Sequence, residues 1–212
     1  MNFSKSFKVL EKILERRFLN YDESYFSEDF FIIDSRDNMS FIKELVPDLK
    51  ATAEIGVQWG VFSKRIVTVL KPKRHYCIDY WKYIDSGYER DTGNVSDKEH
   101  ELRYMATVDL LKEEIGSGVV KIIRDLSSNA LRKLPPASLD FIYIDGNHNY
   151  EAVLEDLYNS IRVIKKGGII GGHDFLRQGV NKAVAEVCKK TDLKLVAHGI
   201  SCTSFYLREE PF

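Results

Sequence analysis

The chain has 212 residues, of which 44% are hydrophobic and 30% charged, a composition typical of a globular protein with a sizeable core. With 31 basic and 32 acidic residues the formal net charge is −1, so the basic excess of most nucleic-acid-binding proteins is absent. No apolar run reaches the roughly 18 residues of a membrane span, and the first residues do not resemble a secretory signal. We therefore expect a cytoplasmic protein, and its three scattered cysteines fit a reducing compartment: Cys77, Cys188 and Cys202.

Residues 1–50 are predicted to form a helical N-terminal extension. Apolar residues recur at helical spacing between Phe3 and Leu14, which predicts an amphipathic helix. An aromatic loop at 21–26 follows, and a second helix is predicted at about 39–45. The extension either covers the substrate side of the following domain or packs on a face of its sheet, and the sequence leaves both readings open.

The next segment, Glu54-Ile55-Gly56-Val57-Gln58-Trp59-Gly60, lies between a short apolar strand and an amphipathic helix. Glycine accepts positive φ and lets another molecule approach the backbone closely. The helix that follows would direct its unpaired N-terminal N–H groups at such a molecule. The pattern therefore predicts a ligand-binding turn between strand and helix.

Further predicted strands each end in an acid or a histidine. The strand at 75–78 ends at Asp79, and the strand at 119–124 ends at Asp125. The strand at 139–144 ends at Asp145, and the strand at 168–172 ends at His173 and Asp174. Ligands of open α/β sheets bind at the carboxyl ends of the strands, and an acid after the second strand accepts ribose hydroxyls. The alternative is that loops are polar in general, but this does not explain why the polar residues are acids and histidines at nearly every strand end.

Helices alternate with these strands, which predicts a parallel sheet covered on both faces. Helices are predicted at about 150–165 and 180–189, and two closing strands at 193–198 and 203–208. The connection at 80–105 is longer than most connections. It is either a lid or binding loop, whose aromatic residues would suit stacking, or a surface insertion that is partly helical.

The motifs together resemble the class I S-adenosylmethionine-dependent methyltransferase superfamily. The resemblance rests on Glu54-x-Gly56-x-x-x-Gly60, on Asp79, and on the strand before Asp145. The segments 144–150 (Ile-Asp-Gly-Asn-His-Asn-Tyr) and 167–174 resemble its small-molecule (O-)methyltransferase branch, which carries an Asp-Gly-x-His motif. The resemblance covers about residues 50–208.

This resemblance implies an α/β fold with a doubly wound, mostly parallel, seven-stranded sheet, the Rossmann-like methyltransferase fold. The methyltransferase domain would span residues 51–212, after the helical extension. It also implies S-adenosylmethionine as the cofactor, with Asp125 and its neighbour near the adenine; capping of the next helix by Asp125 is an equally good reading. The implied cofactor-binding residues are Glu54, Gly56, Gly60, Asp79, Tyr80, Asp125, Leu126 and Asp145.

Methyl transfer requires aligned donor and acceptor, and a hydroxyl acceptor must also lose its proton. The candidate catalytic residues follow two neighbouring strands: Asp145, His148, His173 and Asp174. His148, whose imidazole has a near-neutral intrinsic pKa, is either a general base or a helix-entry residue that bonds backbone or positions Asp145. Asp145 either contacts the amino end of the cofactor, orients His148 or ligates a cation. Asp145 and Asp174 would provide oxygen ligands for Mg²⁺ if a metal is used.

Three functions remain at this stage. The first is methyl transfer to a small molecule, with a hydroxyl favoured over a nitrogen acceptor. The second is a nicotinamide-dependent oxidoreductase, against which the missing middle glycine of Gly-x-Gly-x-x-Gly argues. The third is a non-catalytic Rossmann-like binding domain. We expect a small-molecule substrate and neither a nucleic-acid nor a membrane partner, and we leave formation of a homo-oligomer open.

Overall fold

The computed structural model describes residues 23–33, 35–36, 38–85, 93–199 and 203–209. The amphipathic helix predicted near the N-terminus, Cys202 and the middle of the 80–105 connection lie outside these ranges. Strands are β1 (Phe26–Ile33), β2 (Ala51–Ile55), β3 (Arg74–Asp79), β4 (Val120–Arg124), β5 (Leu139–Ile144), β6 (Ile164–Gly172), β7 (Leu193–Gly199) and β8 (Phe205–Glu209). Helices are α1 (Ser40–Leu45), α2 (Val61–Leu70), α3 (Asp97–Leu110), α4 (Lys112–Gly116), α5 (Ser127–Lys133), α6 (Tyr150–Val163) and α7 (Gln178–Lys190), after a 3₁₀ turn at Glu23–Tyr25.

The strands form one sheet in the order β1-β7-β8-β6-β5-β2-β3-β4. Strand β8 is antiparallel to both of its neighbours, and the other pairs are parallel. From β2 the chain builds outward through β3 and β4, and from β5 it builds outward on the other side. The direction of winding therefore reverses between β2 and β5, which is where open α/β sheets bind ligands. The predicted α/β, mostly parallel, doubly wound sheet is confirmed.

The sheet has eight strands rather than the predicted seven. The additional strand, β1, comes from the extension predicted to be helical and pairs in parallel with β7, so the prediction was wrong for this segment. Its side chains Phe26, Phe30 and Ile33 are buried, and the ladder is irregular between Phe26 and Phe31. This irregularity hides the alternating pattern by which a strand is normally found in a sequence.

Helices cover both faces of the sheet. On one face, α6 and α7 bury apolar side chains such as Val153, Leu157 and Val184 against β5 and β6. On the other face, Phe62 and Ile66 of α2 pack against the aromatic residues of β5. Helix α6, predicted at about 150–165, ends at Val163, and the residues that follow it begin β6. No helix in the described ranges is long and apolar enough to cross a lipid bilayer.

Candidate active site

The glycine turn between β2 and α2 packs closely against protein. Gly56 has φ +83°, and a Cβ added there would lie 2.0 Å from the carbonyl oxygen of Asp145. Gly60 has φ +76°, and its added Cβ would lie 2.8 Å from Cγ2 of Thr107. Backbone at these φ values is open to glycine at little cost. The turn is therefore seated directly against the end of β5, where the predicted catalytic residues begin.

Asp79, at the end of β3, holds this turn in place. Its Oδ2 accepts a hydrogen bond of 2.9 Å from the Gln58 N–H, and its Oδ1 accepts one of 2.8 Å from the Trp81 N–H. The Trp81 indole N–H in turn donates to the Gln58 carbonyl at 2.9 Å. Gln58 and Trp81 both have positive φ. Each carboxylate oxygen can accept more than one hydrogen bond, so the predicted ribose contact of Asp79 is compatible with these two.

Glu54 lies beneath the turn rather than on its surface, since it is only 1% exposed. Its carboxyl accepts a hydrogen bond from the Ser63 hydroxyl, whose oxygen is 3.0 Å from Nε2 of His75. Oγ1 of Thr52 lies 2.8 Å from Nδ1 of His75 and completes this series of hydrogen bonds. Burial raises the pKa of Glu54 well above its usual value and lowers that of His75 to about 3. Burial therefore favours the neutral form of both groups, and the carboxyl of Glu54 offers no exposed surface to a ligand.

The residues predicted near the adenine lie at the ends of β3 and β4. Asp125 accepts hydrogen bonds from the Leu126 N–H at 2.8 Å, from Nδ2 of Asn129 at 3.1 Å and from Nζ of Lys133 at 2.7 Å. Leu126 is the N-cap of α5 and no side chain of the described residues caps this helix, so the capping role expected of Asp125 as an alternative is wrong; Asp125 binds the side chains of Asn129 and Lys133 instead. Leu126 is 41% exposed and Tyr80 is half-buried. Both are open to a ligand at this edge.

The structure brings the four predicted catalytic residues together. Nε2 of His148 lies 2.9 Å from Oδ2 of Asp174 and 3.8 Å from Oδ1 of Asp145. Nδ1 of His173 lies 3.7 Å from Oδ1 of Asp145 and 3.5 Å from Oδ2 of Asp174. Asp174 has φ +55°, a left-handed conformation that aspartate tolerates better than most residues. Two carboxylates thus face two imidazoles at the ends of β5 and β6.

The charges within this cluster alter its protonation. Burial alone would lower the pKa of His148, but Asp145 and Asp174 outweigh it and raise the pKa to about 9. Burial likewise favours protonation of Asp174, yet the contacts with His148 and His173 hold its pKa well below the usual value. The two flanking carboxylates thus move the pKa of His148 well above the near-neutral intrinsic value of imidazole. Nε2 of His148 is buried, and its shortest contact with a carboxylate is the one with Asp174 at 2.9 Å.

Two arginines of the site were not identified from the sequence. Nη1 of Arg36 donates to Oδ2 of Asp145 at 3.1 Å, and its guanidinium carbon lies 4.7 Å from the centre of the Phe62 ring. Nε of Arg177 lies 3.3 Å from Oδ2 of Asp174. Arg177 follows Asp174 by three residues, a spacing that would have suggested it. Arg36 comes from the segment after β1, and no local pattern connects it with Asp145.

The cluster also has the donors for a cation. Asp145, His148 and Asp174 each offer one ligand atom, and these atoms lie within 4.8 Å of one another. A metal ion requires neutral imidazole, whereas here His148 is protonated and already neutralises the carboxylates together with Arg36 and Arg177. Mg²⁺ favours oxygen ligands, and a set with one imidazole suits Mn²⁺, Fe²⁺ or Zn²⁺ better. The residues fit a cation only after His148 has lost its proton.

An open, doubly wound sheet with a glycine turn at its switch point and acids at its strand ends is the architecture of an α/β enzyme that binds a nucleotide-like cofactor. The chain belongs to the methyltransferase domain family, whose sequence profile matches residues 53–175, and its fold is that of the class I S-adenosylmethionine-dependent methyltransferases. The family resemblance inferred from the motifs is therefore confirmed. No curated protein matches the chain in sequence.

Solved structures with similar folds include other methyltransferases. An O-methyltransferase from Bacillus cereus in complex with SAH is 11% identical, with a TM-score of 0.58 and coverage of 94% of this chain and 96% of that chain. The SAH-bound methyltransferase PaMTH1 of Podospora anserina is 12% identical, with a TM-score of 0.58 and coverage of 100% and 97%. The O-methyltransferase NovP is 16% identical, with a TM-score of 0.57 and coverage of 82% and 80%. At such identities these similarities establish the fold alone.

Proposed function

We propose that the protein transfers the methyl group of S-adenosylmethionine to a hydroxyl group of a small molecule. The observation that carries this proposal is the position of His148. Its Nε2 atom lies between Asp145 and Asp174, and the backbone of Asp145 packs directly against Gly56 of the cofactor turn. A base and the expected cofactor turn are thus adjacent at the switch point of the sheet.

The cofactor occupies the edge formed by β2, β3 and β4 in this proposal. Gly56 and Gly60 shape the turn, and Asp79 accepts the ribose hydroxyls. Tyr80 and Leu126 border the adenine. Glu54 supports the turn from below through Ser63, and this replaces the direct cofactor contact expected from the motif.

The acceptor lies at the ends of β5 and β6. When its oxygen attacks the methyl carbon, the carbon–oxygen bond forms and the carbon–sulfur bond breaks. The bonding electron pair stays on sulfur, which becomes a neutral thioether, and the hydroxyl proton passes to the neutral imidazole of His148. Asp145 and Asp174 stabilise the imidazolium that results, since both raise the pKa of His148. A base of such high pKa is strong, but only a small fraction of it is unprotonated at pH 7.

A metal-assisted reaction is the second candidate, supported by the ligand geometry of Asp145, His148 and Asp174. A divalent cation held there would stabilise the deprotonated acceptor oxygen. The two candidates differ in a simple assay. With His148 as base, activity persists in excess chelator; loss of activity in chelator with recovery in Mg²⁺ or Mn²⁺ supports the metal instead.

Isothermal titration of the purified protein with S-adenosylmethionine, S-adenosylhomocysteine and NAD tests the cofactor first. We expect both sulfur-containing ligands to bind and NAD not to bind. Binding of NAD alone would support an oxidoreductase and contradict the proposal. A screen of small hydroxylated acceptors with radiolabelled cofactor follows. A protein that binds the cofactor yet methylates neither hydroxyl nor amine compounds would fit the non-catalytic reading.

A further inference from the structure

We propose that Arg36 and Asp145 together bind the amino-acid end of the cofactor, Arg36 its carboxylate and Asp145 its ammonium group. This inference rests on the proposed function, since it concerns the same cofactor. It assigns a binding role to Arg36, a residue that lies in the N-terminal segment and outside the matched methyltransferase region.

The first support is the charge pattern of the pair. Nη1 of Arg36 and Oδ2 of Asp145 are 3.1 Å apart, and their side chains are 33% and 22% exposed. A cation and an anion thus stand side by side at an accessible surface. The amino-acid end of the cofactor carries an ammonium and a carboxylate on one carbon, which is the complementary arrangement. Binding would replace one internal ion pair with two intermolecular ones.

The second support is the position of the pair relative to the turn. The guanidinium of Arg36 lies over the ring of Phe62, in the first turn of α2 just after Gly60. The backbone of Asp145 packs on Gly56 at the other end of the same turn. The ion pair therefore borders the glycine turn on its β5 side.

The third support is the order of the strands. Asp79 ends β3, which lies on the opposite side of β2 from β5. Neighbouring strands are about 4.8 Å apart, so the ends of β3 and β5 are separated by roughly 10 Å. An extended cofactor with its ribose at Asp79 would pass over the turn and bring its amino-acid end to Arg36 and Asp145. Its sulfonium would then face the acceptor cluster of His148 and Asp174.

Arg36 is also suited to hold a carboxylate. Burial alone would lower the pKa of its guanidinium, but Tyr143 and Asp145 raise it above the usual value, so the group remains charged. A guanidinium has five N–H donors, which is more than its contacts with Asp145 and Tyr143 use. Its planar shape allows two parallel hydrogen bonds to one carboxylate, which a lysine ammonium cannot make.

The test compares S-adenosylmethionine with its decarboxylated form, which lacks only the carboxylate. Titration calorimetry gives the dissociation constants of both ligands for the wild-type protein and for Arg36→Gln. We expect the wild type to favour the complete cofactor by about 10- to 100-fold, the range of a charged hydrogen-bonded contact. Arg36→Gln should lose most of this preference, and Arg36→Lys should keep part of it.

Arg132→Gln is the matched control, because it removes a positive charge from the exposed side of α5 and should keep the full preference. Equal binding of the two ligands by the wild type overturns the inference, as does an unchanged preference in a folded Arg36→Gln. If Arg36→Gln does not fold, the wild-type comparison and Arg36→Lys still decide. Absence of any binding by the wild type contradicts the proposed function instead, so the two failures are distinguishable.

Discussion

His148 and Asp174 form an ion pair with 2.9 Å between Nε2 and Oδ2, and the two residues belong to loops that follow different strands. His148 follows β5 and Asp174 follows β6. The pair joins the two loops that would enclose the acceptor, and it makes His148 the most basic imidazole for which a pKa shift is resolved. Its effects should be visible in activity and in stability.

The first prediction concerns the pH dependence of methyl transfer. The pKa of His148 is about 9, so the neutral base accumulates, and kcat/KM should rise, as the pH increases toward that value. Asp174→Asn removes a flanking charge and should move the midpoint down by about one pH unit or more. The profile is measured with a neutral acceptor. An identical midpoint in the wild type and Asp174→Asn would show that another group titrates.

The second prediction concerns stability. His148 has a higher pKa in the folded protein, about 9, than its reference value of 6.5. Its pairing with the carboxylates therefore contributes fully to the free energy of unfolding below pH 6.5, and this contribution is lost as the pH rises through 9. A shift of this size corresponds to at most about 3 kcal/mol.

Urea unfolding at pH 6 and pH 10 measures the effect, and His148→Gln serves as the comparison. The wild type should lose more stability between these two pH values than the variant does. Since Asp174 is the partner in the same interaction, its contribution must not be added separately. A variant with the same pH dependence as the wild type would exclude His148 as the cause.

The third prediction concerns Gly56. An alanine there must accept φ +83° and place its Cβ 2.0 Å from the carbonyl oxygen of Asp145. Gly118 has φ +76° with no atom near an added Cβ, so Gly118→Ala isolates the backbone cost of about 1–2 kcal/mol. Gly56→Ala should lower the free energy of unfolding by clearly more. Equal losses in the two variants would mean that the turn can move away from Asp145.

The fourth prediction concerns Asp79. Loss of its hydrogen bonds to the ribose should weaken the cofactor about 5- to 150-fold. Asp79 also holds Gln58 and Trp81, so an Asp79→Ala variant alone would mix the two effects. S-adenosylhomocysteine and its 2′-deoxy analogue separate them. The wild type should favour the hydroxylated ligand and Asp79→Ala should not; a preference that survives the substitution would place the ribose elsewhere.

Much of the fold was predictable because each core strand is short, apolar and ended by an acid or a glycine. Strand β5 was predicted at the observed residues, and its Asp145 meets Asp174 because neighbouring parallel strands end at one edge. Strand β1 was missed because its ladder is irregular and Glu28 and Asp29 interrupt its apolar residues.

The site was only partly predictable for a related reason. The sequence pattern of an acid at a strand end is the same whether the acid faces a ligand or, like Glu54, lies buried under a turn. Arg36 is 109 residues from Asp145, and their contact follows from the path of the chain between β1 and α1. Cofactor contacts, catalytic roles, the acceptor and the oligomeric state stay predictions.

Strand β1 lies at the edge of the sheet, and Arg36 follows its last residue, Ile33, by three positions. An edge strand has a ladder on one side only, so it opens more readily than an inner strand. A ligand bound to Arg36 would therefore stabilise the edge strand β1, although the ligand itself does not contact this strand. Amide hydrogen exchange in residues 26–33 should slow on addition of S-adenosylhomocysteine and should not slow in Arg36→Gln. Binding of the cofactor at the switch point would then be detectable as protection of the edge strand β1.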